Sequence, residues 1–343
     1  MTGEREHNAG PSGNGRDPNR ARRWQQIKLA LAIAAIAGVL WYIDLPPAEK
    51  LLQPWLVLAV VAGALGSLGT IAFNGWRHGL LACDPPAPFL LAFKSVVLSG
   101  GLNFFVPGRL AEVIKVSYLR ENLNIRIAHG LTAVALERTL DVIILGLLTG
   151  LTVVSSLLKT VIWLPILGMA CAVGLVALPL LVGPVRALLV RYPNQVARFV
   201  IAAIDHYRTV ARMGRLGHLL VLSVGFWATA LAACVVFLQM QPLAPISLWQ
   251  ACLIFVATHV AIAIPGPPGG LGLFQLAVVL VLTPAGVATE TAIVLGILLQ
   301  FSTMLPLFLL TPIILVREPT GVAGLLADAR AGLRTARLPE GGN

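Results

Sequence analysis

Apolar residues gather into runs rather than alternating with polar ones, at roughly 27–43, 55–76, 89–106, 127–158, 162–183, 217–240, 248–264, 271–283 and 289–316. Runs of about 17–25 residues have the length of a membrane-spanning helix, not of a barrel strand. The pattern predicts an all-α fold: a polytopic transmembrane helical bundle. Between the seventh and eighth runs stands Pro265-Gly266-Pro267-Pro268-Gly269-Gly270. No α-helix continues through it, because proline lacks the N–H and clashes with the preceding turn, and glycine gives up the most backbone entropy. No charged residue lies between Leu248 and Thr289, which puts the break at membrane depth. Unwound backbone there must be buried by protein or face a polar cavity, and broken helices of this kind form solute sites in transporters.

Composition agrees with a membrane protein. Of 343 residues, 57% are hydrophobic and 12% charged, too few charges to clothe a soluble core of that size. Mean hydropathy is +0.85. The net charge of +10 informs through its placement. Basic residues crowd the head (Arg16, Arg20, Arg22, Arg23), the stretch 109–126 (Arg109, Lys115, Arg120, Arg126), the linker 184–216 and the tail (Arg317, Arg330, Arg334, Arg337). The links near 44–54, 159–161, 241–247 and 284–290 hold only Lys50 and Lys159 as cations. The basic links are therefore expected on the cytoplasmic side, with both termini. Nine full spans would put head and tail on opposite sides. The conflict disappears if 89–106 dips in from the cytoplasm and 248–283 enters from outside, turning at the Pro/Gly break. That leaves six full spans and two opposed re-entrant hairpins, an arrangement an inverted repeat would give; eight ordinary spans are the alternative. The expected organisation is a disordered basic head over 1–26, a membrane domain over 27–316 and a cytoplasmic tail over 317–343, in a multi-pass protein of the cell membrane.

Candidate chemistry is concentrated in two places. Glu137, Arg138 and Asp141 stand within one turn of the fourth run, with Glu137 and Asp141 on one face. A charge at mid-helix costs about 2.5–3.5 kcal/mol on insertion scales, so three together need partners or water. They either pair among themselves to pin helices, or Arg138 binds an anionic head group while the carboxylates hold it or relay protons. The second place is Asn103–Glu112 with Lys115, where Gly100, Gly101, Pro107 and Gly108 are expected to break the first re-entrant segment. Arg109, Glu112 and Lys115 then share a helical face. They form either an interfacial amphipathic helix with a snorkelling basic face, or a cavity face whose Arg109 guanidinium meets a lipid phosphate. Ser67, Thr70 and Asn74 make a polar stripe, and Gly146 with Gly150 forms a GxxxG read as helix–helix contact. His259 is a lone intramembrane histidine, as readily a packing residue as a proton carrier. Cys83, Cys171, Cys234 and Cys252 share no metal-binding spacing, and neither disulfide nor zinc is expected. There is no HExxH, GxSxG, phosphate loop or Asp pair for a metal-bound diphosphate, so no metal or cofactor is expected.

The order Pro107-Gly108-Arg109-Leu110-Ala111-Glu112, then Glu137-Arg138-x-x-Asp141, then Pro265-Gly266-Pro267-Pro268-Gly269-Gly270-Leu271-Gly272-Leu273-Phe274 resembles the flippase-like membrane domain of lysylphosphatidylglycerol synthases, over about 27–316. Two positions depart from that pattern: Ala111 where glycine is frequent, and Gln275 where glutamate is frequent. The resemblance implies movement of polar or charged lipids between leaflets. The synthases' aminoacyl transfer belongs to a separate soluble domain, and with 27 residues after Val316 no enzyme activity is expected. The reading that follows has Arg109 and Arg138 contacting an anionic or polar lipid head group, oriented by Glu112, Glu137 and Asp141. Pro265, Pro268, Gly269, Gly270 and Gly272 would form the opposing wall, offering N–H groups to a phosphate. The expected partners are membrane lipids rather than nucleic acid. The alternative is a non-transporting scaffold or regulator of an envelope or isoprenoid-lipid enzyme, bound through the linker 184–216.

Overall fold

The computed structural model describes residues 53–103, 110–125, 127–158, 183–191, 195–263, 268–317 and 324, all within the compact unit Pro47–Asn343. The segments expected to span at 27–43 and, apart from Gly183, at 162–183 lie outside them, as do the head and the tail beyond Arg317 apart from Gly324. The described helices are α1 (Pro54–Ala82), α2 (Phe89–Leu102), α3 (Leu110–Leu123), α4 (Ile127–Leu158), α5 (183–189), α6 (Gln195–Arg212), α7 (Leu216–Met240), α8 (Leu248–Ala263), α9 (Leu273–Leu282) and α10 (Thr289–Arg317). No strand occurs among the described residues. By length and composition, α1, α7 and α10 can each cross a membrane.

Local chemistry explains the boundaries. Pro54 opens α1, where its missing N–H and fixed φ fit the first turn. Ser247 and Gln250 cap α8 reciprocally: the Ser247 N–H donates to Gln250 Oε1 at 2.7 Å and the Gln250 N–H to Ser247 Oγ at 3.2 Å.

The element order repeats. A long helix, two short helices folded on each other and a second long helix occur as α1-α2-α3-α4 and again as α7-α8-α9-α10. The contacts are reciprocal: α2 packs on α10 and α8 on α4, while α1 and α7 pair directly. With 14, 14, 16 and 10 residues, α2, α3, α8 and α9 are each too short for a hydrocarbon core of about 30 Å.

The first hairpin is not built as its sequence suggests. Residues 89–102 form one continuous helix, and the returning arm is α3. Gly100 and Gly101 do not break α2. They sit where it meets α10, and a Cβ would come within 3.0 Å of Leu307 and 2.0 Å of Thr311 respectively. Glycine here serves close approach, not flexibility. The same holds at the α1–α7 crossing, where a Cβ on Gly66 would lie 2.7 Å from that of Ala233. Ser67 donates to the Thr303 carbonyl on α10 and Thr70 to Thr229 on α7, so part of the polar stripe joins helices. Gly146 and Gly150 differ: nothing lies within 4 Å of a Cβ built on either, so the GxxxG makes no helix contact among the described residues.

Exterior and interior are reversed relative to a soluble protein. Leu65, Val142, Val221 and Leu280 are all about two-thirds exposed, whereas Arg77, His78 and Glu137 are fully buried. An apolar exterior around a charged interior suits a hydrocarbon solvent.

Candidate functional site

The buried charges come from α1, α3 and α4. Glu137 accepts at both oxygens: His78 Nδ1 lies 2.8 Å from Oε1, and Lys115 Nζ lies 2.6 Å from Oε2. One turn along α4, Asp141 is gripped by Arg77 through two bonds of 2.8 and 3.2 Å, the fork geometry that makes arginine–carboxylate pairs strong. Arg138 leans the other way. Its Nη2 is 2.9 Å from Glu112 Oε1 and its Nη1 is 3.4 Å from Asp141 Oδ2, yet its side chain stays 49% exposed. Three carboxylates and three lysine or arginine cations thus share one level of the bundle, a count that balances with His78 neutral. Charges at this density survive in a membrane interior only because each meets an opposite one.

The six charges divide by burial. Arg77, Lys115 and Glu137 are sealed, while Glu112 and Arg138 form a partly exposed edge. The α6 helix helps to seal them. Ala197, Ile204, Tyr207 and Val210 face inward, and α6 shares a hydrophobic cluster with Leu80, Leu81, Leu136 and Leu140 around the buried pairs. His206 fixes α6 in place by donating through Nε2 to the Leu81 carbonyl at 2.8 Å. Burial holds the His206 imidazole below its ordinary value of 6.5, against the opposing pull of that bond.

Aromatic rings carry the cluster across to α8. The Arg77 guanidinium lies 4.8 Å over the Phe226 ring. Phe226 meets Trp227 edge-on, and Trp227 in turn contacts His259 at 5.4 Å between centroids. His259 Nδ1 bonds its own helix at the Phe255 carbonyl, 2.8 Å away, the arrangement of a packing histidine.

Beyond α8, the broken segment is held by two glutamines. Gln300 on α10 donates to the Gly269 carbonyl at 2.7 Å and accepts from Gln275 at 2.6 Å, and Gln275 accepts the Gly272 N–H at 2.8 Å. Gly269, Gly270 and Gly272 all have left-handed φ, at 67°, 70° and 86°. At Gly270 a Cβ would also come within 2.6 Å of Ile262. Gln275, standing where a charge is frequent in the resembling domain, does backbone work here: a neutral amide can donate to one group and accept from another.

The expected site residues therefore divide. Glu112, Arg138 and Asp141 come together as one edge. Glu137 lies alongside, but both its oxygens engage His78 and Lys115 rather than Arg138. Gly269 and Gly272 are present at the break with their carbonyl and N–H respectively already bonded to glutamines. Arg109 and Pro265 lie outside the described residues, as does the side chain of Pro268, so the cavity expected between the two breaks is not described. The α3 helix is not a snorkelling interfacial helix: Ala111 and Val113–Leu119 are all buried, Lys115 included.

Arg77 and His78 lie just beyond the second apolar run, which ends at Trp76, so hydropathy alone does not mark them. The signal was present: Ser67, Thr70 and Asn74 continue at helical spacing into Arg77 and His78.

Short paired helices within long apolar ones, an apolar exterior and a paired charge cluster inside define a polytopic α-helical membrane protein. The family described as lysylphosphatidylglycerol synthase TM region matches residues 27–311, and the chain belongs to it. Neither the curated proteins nor the solved structures gave a match. Membership makes this a membrane protein connected with lipid synthesis or flipping, in contact with membrane lipids.

Proposed function

We propose that the protein moves an anionic or polar lipid between leaflets without chemically altering it, in the cell membrane with both termini cytoplasmic, and that Arg138 receives the head group. One observation carries this reading. Within the charge cluster, Arg77 and Lys115 are buried with their carboxylates, whereas Arg138 is half exposed and held from behind by Glu112 and Asp141. A guanidinium fixed on one side and open on the other is preorganised for the bidentate geometry of a phosphate. Family membership supports lipid as the ligand.

The test is leaflet exchange of head-group-labelled phosphatidylglycerol in proteoliposomes, read with an impermeant quencher. Wild-type protein should exchange the lipid, and Arg138→Ala, shown to be folded, should not. Equal exchange by the folded variant would refute the assignment. Absence of exchange by wild type with every lipid tried would refute lipid movement by this chain alone.

A further inference from the structure

The charge balance of the cluster leaves one group unassigned. His78 is fully buried, its Nδ1 is committed to Glu137, and its Nε2 is buried with no hydrogen-bond partner. As a neutral ring it carries a bare acceptor at Nε2; as an imidazolium it carries a bare donor there. Neither state is fully matched. The groups converging on its level are Arg77 on its own helix, Glu112 and Lys115 on α3, and Glu137, Arg138 and Asp141 on α4, three of each sign. Of the other elements against α1, α2 carries Lys94, α7 carries His218 and α6 carries Arg198, Asp205, His206, Arg208 and Arg212, while α10 has charges only near its ends, at Glu290 and Arg317.

An anionic head group docked on Arg138 would add one negative charge to a cluster that is already neutral. Arg138 cannot answer by changing its charge, and Lys115 is already counted as a cation. His78, adjacent in sequence to Arg77 and through it one ion pair from Asp141, can. From this juxtaposition we infer that His78 is a proton-binding site linked to the lipid site: its Nε2 lone pair takes up a proton as the anionic head group binds and gives it back as the lipid leaves. The Nδ1–H stays donated to Glu137 throughout, and no other bond changes. The inference rests on the lipid-moving role proposed above and adds its coupling ion. One proton travelling with one anionic lipid makes transport electroneutral. A zwitterionic lipid, which brings no net charge, carries no proton.

The experiment uses the full chain in proteoliposomes with labelled phosphatidylglycerol, under an imposed pH gradient or an imposed membrane potential. At equilibrium a gradient of about one pH unit should concentrate the lipid about tenfold in the leaflet facing the alkaline side. The potential should have no effect. In His78→Gln, the distribution should stop following the pH gradient and follow the potential instead. A wild-type distribution that ignores the pH gradient while exchange proceeds would overturn the proton coupling and leave lipid movement standing. If wild type exchanges nothing, lipid movement itself falls, and a binding measurement decides the proton site separately. Adding short-chain phosphatidylglycerol to unbuffered protein in detergent should take up about one proton per chain in wild type and almost none in His78→Gln. No uptake by wild type, or equal uptake by the two, would overturn it.

Discussion

Removing the Glu137 carboxylate should destabilise the protein far more than removing the Arg138 guanidinium, although the two are neighbours in sequence. In Glu137→Ala, the Lys115 ammonium loses a partner at 2.6 Å and the His78 ring loses one at 2.8 Å, and all three side chains are almost wholly buried. Breaking a buried pair from one side leaves an uncompensated charge and costs about 3–5 kcal/mol. Arg138 and Glu112 meet at 2.9 Å with 49% and 26% of their side chains exposed. That pair is less enclosed than the Glu137 pairs, so Arg138→Ala should cost clearly less than Glu137→Ala. The assay is equilibrium unfolding of purified protein in detergent micelles, with Glu137→Leu, Lys115→Leu and Glu137→Leu/Lys115→Leu forming a cycle beside Glu137→Ala. Replacing both partners by apolar groups removes the stranded charge, so the double variant should be more stable than Glu137→Ala. The reasoning fails if Glu137→Ala and Arg138→Ala prove equally damaging, or if the double variant is no better than the single one. Either result would mean that the cluster behaves as one structural unit, with no sealed half and working edge.

Three further outcomes follow from the packing. Gly66→Leu should destabilise the protein by at least about 1–3 kcal/mol, read in the same unfolding assay, because its Cβ would lie 2.7 Å from that of Ala233 on α7. Gly270→Ala should cost about 1–3 kcal/mol from backbone strain at φ 70°, before its clash with Ile262 is counted. Lipid exchange by this variant should fall along with stability. For His206, burial lowers the folded value below 6.5, so under acid conditions the unfolded chain binds more protons than the native one. Stability should therefore fall as pH drops through and below that value. The fall should be shallower in His206→Gln, as thermal unfolding of the two proteins across that range would show.

Much of the architecture is legible in the residues alone. Long charge-poor runs cannot be clothed as a soluble core, and three prolines among three glycines cannot continue a helix, so a membrane bundle with a broken segment follows from composition and backbone chemistry. Glu137, Arg138 and Asp141 announce themselves because charge inside an apolar run needs a partner. The partners are another matter. Glu137 and Asp141 are four residues apart on one helix, which suggests a self-contained cluster, but Glu137 is met by His78 and Lys115, and Asp141, besides Arg138 on its own helix, by Arg77, partners 22 to 64 positions away on other helices. Helical spacing fixes which residues share a face; only the crossing of α1, α3 and α4 fixes which faces meet. Glycine makes the same point. Gly100 and Gly101 look like helix breakers in the sequence, and the packing of α10 turns them into contact points within a continuous helix. Gly269, Gly270 and Gly272 keep the role their sequence suggests, because there the backbone itself adopts left-handed angles that other residues resist. The chain determines by itself which groups are costly to bury; the tertiary structure decides which of them are neutralised in the interior and which one, Arg138, is left facing outward.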